Sequence, residues 1–297
     1  MEAEVPRDLR RDGGPHGTLI AVASRRAAVL GSPIAHSRSP ILHRAAYEAL
    51  DLDWTYDAID MTPERLPDFL ATCGWPDWAG LSLTMPLKTA VLPLLDTISP
   101  TASTVAAVNT VVLTDRGREG HNTDVAGMCA ALAGASAGRD IPLTRGAVIG
   151  AGATARSALA ALAQLGVRDV VVAARRPEAA DEIVALGERL GVSAAAIPWG
   201  SAEVLDADAV VSTVPPGGAD ALAEHVPRTP GVLLDVAYGD GDTPLLRAWR
   251  AAEGGAADGL DLLLWQAVDQ VRLMTGREPP VQAMRAALEA ERPSSGR

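Results

Sequence analysis

The sequence predicts an α/β protein made of two α/β domains in succession, the second a doubly wound parallel sheet, and three observations lead there. From about Arg26 to Asp124, short apolar runs alternate with helical stretches. A second series starting at Gly146 has strands that are continuous apolar runs, as in a parallel sheet covered by helices on both faces. A glycine-rich turn at 150–155 joins one of these strands directly to a helix.

Taken in order, AAVL (27–30) reads as a strand, followed by a helix over 40–50, the strand WTYDAI (54–59), a helix after Thr62 and the strand WAGLSL (78–83). A further apolar run begins at 107–110, and the domain closes at His121-Asn122-Thr123-Asp124. The second series is GAVIGAG from Gly146, a helix of small residues to Leu165, DVVVAAR (169–175), a helix from Pro177, SAAAIPW (193–199), ADAVVSTVP (207–215) and GVLLDVAY (231–238). The stretches 260–274 and 280–290 are helical, have no partner strand, and are expected to pack back across the cleft. Residues 25–124 with 260–297 are thus expected to form one domain and 125–259 the other. Residues 1–24 read as a flexible leader, Pro/Gly-rich to about Gly17 and carrying Arg7, Arg10 and Arg11.

Composition limits the function classes. A chain of 297 residues that is 48% apolar can bury two cores. Its 26 basic and 37 acidic residues leave a formal charge of −11, and no basic patch in the folded part offsets the repulsion from nucleic acid or an anionic membrane. No run approaches the ~18 to 20 apolar residues of a membrane span, and the leader lacks the apolar run of a secretion signal. Cys73 and Cys129 form no CxxC and suit neither zinc nor a disulfide framework, so a reducing cytoplasm is expected. The histidines are scattered without an HExxH pattern, so no catalytic metal is expected.

Gly150-Ala151-Gly152-Ala153-Thr154-Ala155 is a G-x-G-x-x-A turn between strand and helix. Its first glycine permits the tight turn, its second lets backbone N–H groups approach a pyrophosphate at the helix N-terminus, and its small last residue lets helix and strand pack closely. A Rossmann-type dinucleotide site is expected there. At the end of the second strand, where an acid would select NAD, stand Ala174, Arg175 and Arg176, whose guanidinium groups suit the 2′-phosphate of NADP. Thr213, ending the fourth strand, is expected beside the nicotinamide half.

In the first domain, the segment from Gly31 to Pro40 leaves a strand and opens a helix, with Ser39 as expected N-cap and Pro40 in the first helical position. Together with Ser37, it offers hydroxyls and free N–H groups to a carboxylate. The next strand ends at Ser82 and leads to Thr84 and Lys88, and Asn109 and Asp124 are placed to face Lys88.

The order GSPIAHSRSP, LTMPLK, AVNT, NTD, GAG with Arg156, and GLDLLLWQA resembles the shikimate dehydrogenase family over nearly the whole chain after residue 25. The resemblance implies NADP-dependent, reversible reduction of 3-dehydroshikimate to shikimate. It implies that Ser37 and Ser39 hold the substrate carboxylate and that Thr84 and Asn109 bind ring hydroxyls. Lys88 and Asp124 fall on the catalytic pair, which also contacts the ring. Gln266 and Tyr238 match residues near substrate, and Gly259, opening the last motif, is expected on the cofactor side. The chain departs from many relatives in having Ser82 for Asn, in lacking a proline before TPLL, and in reading Ala174-Arg175-Arg176 for Asn-Arg-Thr. Quinate or aminoshikimate dehydrogenation, or a non-catalytic cofactor or metabolite sensor, are the alternatives. A small-molecule substrate, no nucleic acid, no membrane, and a monomer or homodimer complete the expectation.

Overall fold

The computed structural model describes residues 24–139, 142–239 and 241–291; residues 1–23 of the expected leader lie outside them. The described residues begin with β1 (Arg25–Gly31), α1 (Ser39–Ala49), β2 (Trp54–Asp60), α2 (Leu66–Ala71), β3 (Trp78–Leu83) and α3 (Leu87–Ala90). Then come β4 (Thr97–Ile98), α4 (Pro100–Val105), β5 (Thr110–Thr114), β6 (Gly117–His121) and α5 (Asp124–Ser136). These strands form one sheet in the order β2-β1-β3-β5-β6-β4. Its first three strands are parallel, as the βαβαβ reading requires, whereas β5 and β6 form an antiparallel hairpin across Thr114 and Gly117. That hairpin has a weak sequence signal, because β6 reads GREGH and is only half-buried.

The second layer holds β7 (Arg145–Ile149), α6 (Ala153–Gln164), β8 (Asp169–Ala173), α7 (Pro177–Leu190), β9 (Ser193–Ile197), β10 (Ala209–Ser212), β11 (Val232–Asp235), α8 (Pro244–Ala251) and β12 (Gly255–Ala257). All six strands are parallel, in the order β12-β11-β10-β7-β8-β9, so the direction of winding reverses between β7 and β10. This is the doubly wound order, with its crevice at the carboxyl ends of those two strands. The small strand β12 was not foreseen; three residues of Gly and Ala carry no apolar pattern to find it by.

Among the described residues two helices come last: α9 (Gly259–Thr275) and α10 (Val281–Ala290). Asp258 and Asp261 cap α9 reciprocally, which fixes where it starts. Leu260, Leu263, Leu264, Ala267, Val268, Val271 and Met274 of α9, with Met284 and Leu288 of α10, pack among Val29, Leu42, Tyr47 and Tyr56 of the first layer. Leu262 instead joins Val125 and Met128 of α5 in the core of the second. α9 therefore belongs to both cores, more than the packing expected of it. Where it meets α5, Gly127 leaves no room for a side chain: an added Cβ would lie 2.9 Å from the backbone nitrogen of Gln266.

The expected cap of α1 is corrected by the structure. Ser39 is the first helical residue, with Arg38 at the N-cap position, Pro40 in the second, and no side-chain cap. Ser37 Oγ instead accepts from the Ser39 N–H at 3.4 Å.

His43 of α1 is wholly buried and stacks on Tyr56, with ring centroids 3.9 Å apart and planes at 13°. Burial lowers its pKa from 6.5 to about 4. The fold thus holds a neutral ring that an unfolded chain protonates below about pH 6.5. Its contribution is full above that pH and is lost as pH falls towards about 4, on the order of 3 kcal/mol in all. In denaturant titrations, His43→Gln is expected to flatten the stability curve over this window; a slope as steep as wild type would contradict it. Gly127→Ala is expected to cost about 1–3 kcal/mol by forcing α5 and α9 apart, lowering the melting temperature by several degrees. An unchanged melting temperature would show that the two helices tolerate a wider crossing.

Candidate active site

Between the two layers lies an open cavity of about 270 Å³. The turn from β1 to α1 brings Ser37 and Ser39 to it, and the segment after β3 brings Thr84 and Lys88. Asn109 precedes β5 and Asp124 opens α5, where the helix dipole favours a carboxylate. From the second layer come Thr154 of α6 and Tyr238 after β11, while α9 contributes Gly259 and Gln266. Every residue expected to touch substrate, including the pair expected to do the chemistry, therefore lines one cavity, joined there by two of those expected on the cofactor side.

At its centre, Lys88 Nζ donates to Asp124 Oδ2 at 2.6 Å, with the side chains only 14% and 6% exposed. The other carboxylate oxygen accepts from Asn109 Nδ2 at 2.8 Å. Asn109 is itself fixed: its Nδ2 also donates to Thr123 Oγ1, and its Oδ1 accepts from Thr123 N at 2.8 Å and Thr110 Oγ1 at 2.9 Å. A ring hydroxyl can reach Asn109 only by sharing one of these bonds. Gln266 Nε2 donates to the Leu263 carbonyl within its own helix at 2.9 Å. The chain leading to Tyr238 is held by Asp235, which accepts from Ala237 N at 3.3 Å and Thr243 Oγ1 at 2.6 Å, and whose carboxyl burial pushes upward in pKa.

Four polar side chains at and behind the cavity wall form a cluster that the sequence does not reveal. Gln270 and Ser82 line the wall, and Tyr56 and His43 support them. For Gln270 a signal existed, since it stands four residues after Gln266 and so on the same helical face. Tyr56 and His43 had none, because each sits in an amphipathic run as an ordinary core residue.

The remaining residues expected at a cofactor lie along the carboxyl edge of the second sheet and do not line the cavity. Gly150 adopts φ +112°, and a Cβ there would meet Thr213 Oγ1 at 2.4 Å, so this turn requires glycine. Thr213 Oγ1 donates to the Ile149 carbonyl at 2.9 Å, placing it against the Gly150 turn. In front of Gly152 there is open space, and no side chain caps α6, so the N–H groups of its first turn at Ala153 and Thr154 lack a side-chain partner; Ala151 completes the turn. Ala174 is buried at the end of β8, and Arg175 and Arg176 beyond it are exposed, with guanidinium groups that have no hydrogen-bond or ion-pair partner among the described residues. This arrangement fits a dinucleotide: an open helix N-terminus at the switch point for the pyrophosphate, and two free cations at the second strand end. Among the described residues, no three His, Cys, Asp or Glu side chains are grouped to hold a metal ion, and no helix is long and apolar enough to cross a membrane.

Residues 29–111 match the model of the shikimate dehydrogenase substrate binding domain, and 259–289 that of the shikimate 5′-dehydrogenase C-terminal domain. Residues 145–239, between them, match an NADP oxidoreductase, coenzyme F420-dependent, model. A curated shikimate dehydrogenase (NADP(+)) from Anaeromyxobacter sp. is 39% identical over 274 residues, 88% of this chain and 95% of the relative. Among solved structures, the shikimate dehydrogenase of Mycobacterium tuberculosis superposes with a TM-score of 0.81 at 41% identity, covering 90% of this chain and 99% of that one. The Thermus thermophilus shikimate 5-dehydrogenase, solved in complex with NADP(H) and shikimate, gives 0.77 at 34% identity, covering 90% and 99%. With both flanking domain models matched and this identity sustained over nearly the full length of a curated member, the chain belongs to the shikimate dehydrogenase family.

Proposed function

We propose that this chain catalyses the reversible, NADP-dependent reduction of 3-dehydroshikimate to shikimate, with Lys88 and Asp124 as its acid–base pair. The observation that carries the reading is the ion pair at 2.6 Å in a cavity bounded by the serine-rich start of α1 on one side and the start of α6 on the other. It supports a proton-transfer group and a carboxylate-binding segment sharing one small space that borders the start of α6.

The substrate carboxylate binds Ser37 and Ser39. The Ser39 N–H already occupies a lone pair of Ser37 Oγ, leaving the Ser37 proton to be donated, and the α1 dipole adds to the attraction. Thr84, Gln266 and Tyr238 surround the ring hydroxyls. Bound NADPH supplies a hydride equivalent to the ring carbonyl carbon. As the carbonyl oxygen gains charge, the Lys88 ammonium gives it a proton; in the oxidative direction, neutral Lys88 takes that proton from the hydroxyl. Asp124 keeps Nζ aimed at the reacting oxygen and compensates the ammonium, while Asn109 stops the carboxylate from turning. The first turn of α6 receives the pyrophosphate, and Arg175 and Arg176 pair with the 2′-phosphate.

Oxidation of shikimate with NADP⁺ is expected to produce the near-ultraviolet absorbance of the reduced cofactor, and assays with quinate and with NAD⁺ alongside test substrate and cofactor choice. Positioned acid–base groups contribute roughly 10² to 10⁴ in rate, so Lys88→Ala is expected to lower kcat by that factor while shikimate binding stays measurable. Retention of more than about a tenth of wild-type turnover would remove Lys88 from the role. Replacing Arg175 and Arg176 together by alanine is expected to raise KM for NADP⁺ by roughly tenfold or more and leave that for NAD⁺ nearly unchanged. Equal effects on both cofactors would mean that these arginines do not read the 2′-phosphate.

A further inference from the structure

Behind the cavity lies a buried polar cluster to which the mechanism assigns no task. Gln270 is 1% exposed, lines the cavity wall, and uses its whole amide. Its Nε2 donates to the Asn109 carbonyl at 3.2 Å and to Thr110 Oγ1 at 3.0 Å. Its Oε1 accepts from Ser82 Oγ at 2.9 Å and lies 3.2 Å from His43 Nε2. The Asn109 carbonyl can only accept, so the amide cannot turn over without setting two oxygens against each other. His43 then carries its proton on Nε2 and accepts from Tyr47 OH at Nδ1, 3.3 Å away.

This fixed orientation has consequences on both sides of Gln270. Towards β3, the single Ser82 proton is committed to Gln270 Oε1. One Ser82 lone pair takes the Tyr56 hydroxyl proton at 2.7 Å, and only the other is left for the cavity that Ser82 lines. Towards β5, Thr110 receives from Gln270 and donates to Asn109 Oδ1 at 2.9 Å, and Asn109 Nδ2 donates to Asp124. The donors run in one direction, ending on the carboxylate that holds Lys88. A serine hydroxyl in a pocket can ordinarily rotate to donate or to accept; here the choice is made for it.

We propose that Gln270 is a positioning residue that makes Ser82 an obligate hydrogen-bond acceptor towards the substrate ring, so that the site takes a ring hydroxyl there and refuses a substituent that can only accept. The proposal rests on the cavity being the shikimate site. A group lacking a donor would face the Ser82 lone pair unpaired, and an unpaired buried polar group weighs more heavily than a bond merely lost. Although Gln270 lines the wall, its amide is fully engaged, and it acts on the site through Ser82, Asn109 and Thr110.

The test is steady-state kinetics of the full chain with shikimate and with analogues in which each ring hydroxyl in turn is replaced by fluorine, which accepts weakly and cannot donate. For Gln270→Met, similar in volume but without the amide, kcat/KM for shikimate is expected to fall about tenfold or more, with KM for NADP⁺ unchanged. The freed Ser82 hydroxyl is expected to narrow the discrimination between shikimate and one fluoro analogue. In Ser82→Ala the same discrimination narrows, and adding Gln270→Met produces much less than the product of the two single effects. A Gln270→Met enzyme within about twofold of wild type, or effects that multiply independently in the double variant, would overturn the proposal. If Gln270→Met does not fold, Ser82→Ala alone decides: unchanged discrimination against every fluoro analogue refutes the acceptor role, and narrowed discrimination at one position upholds it. A wild-type enzyme that leaves shikimate unoxidised would instead defeat the underlying assignment of the cavity, a result distinct from either.

Discussion

A carboxylate that is 6% exposed must have its charge answered on every side, and Asp124 is answered from three elements at once. Lys88 comes from the segment after β3, Asn109 from the approach to β5, and the dipole from α5, which Asp124 itself begins. Removing one partner of such a pair typically costs about 3–5 kcal/mol, because the other charge is left buried and alone. The first sheet and the helix leading into the second layer are thus tied through this one carboxylate. The same bonds that answer the charge also aim the lysine.

The relation between the layers depends on close approach as well as on charge. α5 and α9 meet nearly backbone to backbone at Gly127 and Gln266, and α9 is shared by both cores. Nearby, Arg156 Nε of α6 donates to the Val105 carbonyl at the end of α4 at 2.7 Å, and Asn122 Nδ2 reaches Ser157 Oγ at 3.1 Å. These contacts hold the start of α6 against the rim of the cavity, which is why Thr154 lines it.

In a chain of net charge −11, the anionic ligands of the proposed function would be met by local rather than global electrostatics. Exposed charges beyond about 8 Å are largely screened at physiological ionic strength, whereas helix N-termini, Lys88 and the free arginines act at contact distance. The start of α6 has no side-chain cap, so its first-turn donors lack a side-chain partner, whereas at the start of α1 the Ser39 N–H is taken by Ser37 Oγ and Pro40 has none to give.

How far the sequence reaches can be judged from individual residues. The two-layer α/β plan, the strand–turn–helix at Gly150 and the order of elements were legible, because continuous apolar runs, 3.6-residue periodicity and glycine chemistry are local properties. Lys88, Asp124, Ser37 and Thr84 could be picked out because they follow strand ends, where side chains of an α/β sheet face the cleft. The hairpin strand β6 and the short β12 were not legible, since half-buried polar residues and a Gly-Ala-Ala run look the same in loops. Nor were the place of Ser39 inside α1, the double allegiance of α9, and the partnership of Ser82 with Gln270, 188 residues away along the chain. A hydrogen bond's direction depends on what every neighbouring atom can still donate or accept, and those neighbours assemble only in the folded chain. Local patterns thus determined which elements form and which polar groups stand at strand ends and helix starts, whereas the tertiary structure decided which of those groups share a cavity, which are fixed, by whom, and in which sense they point.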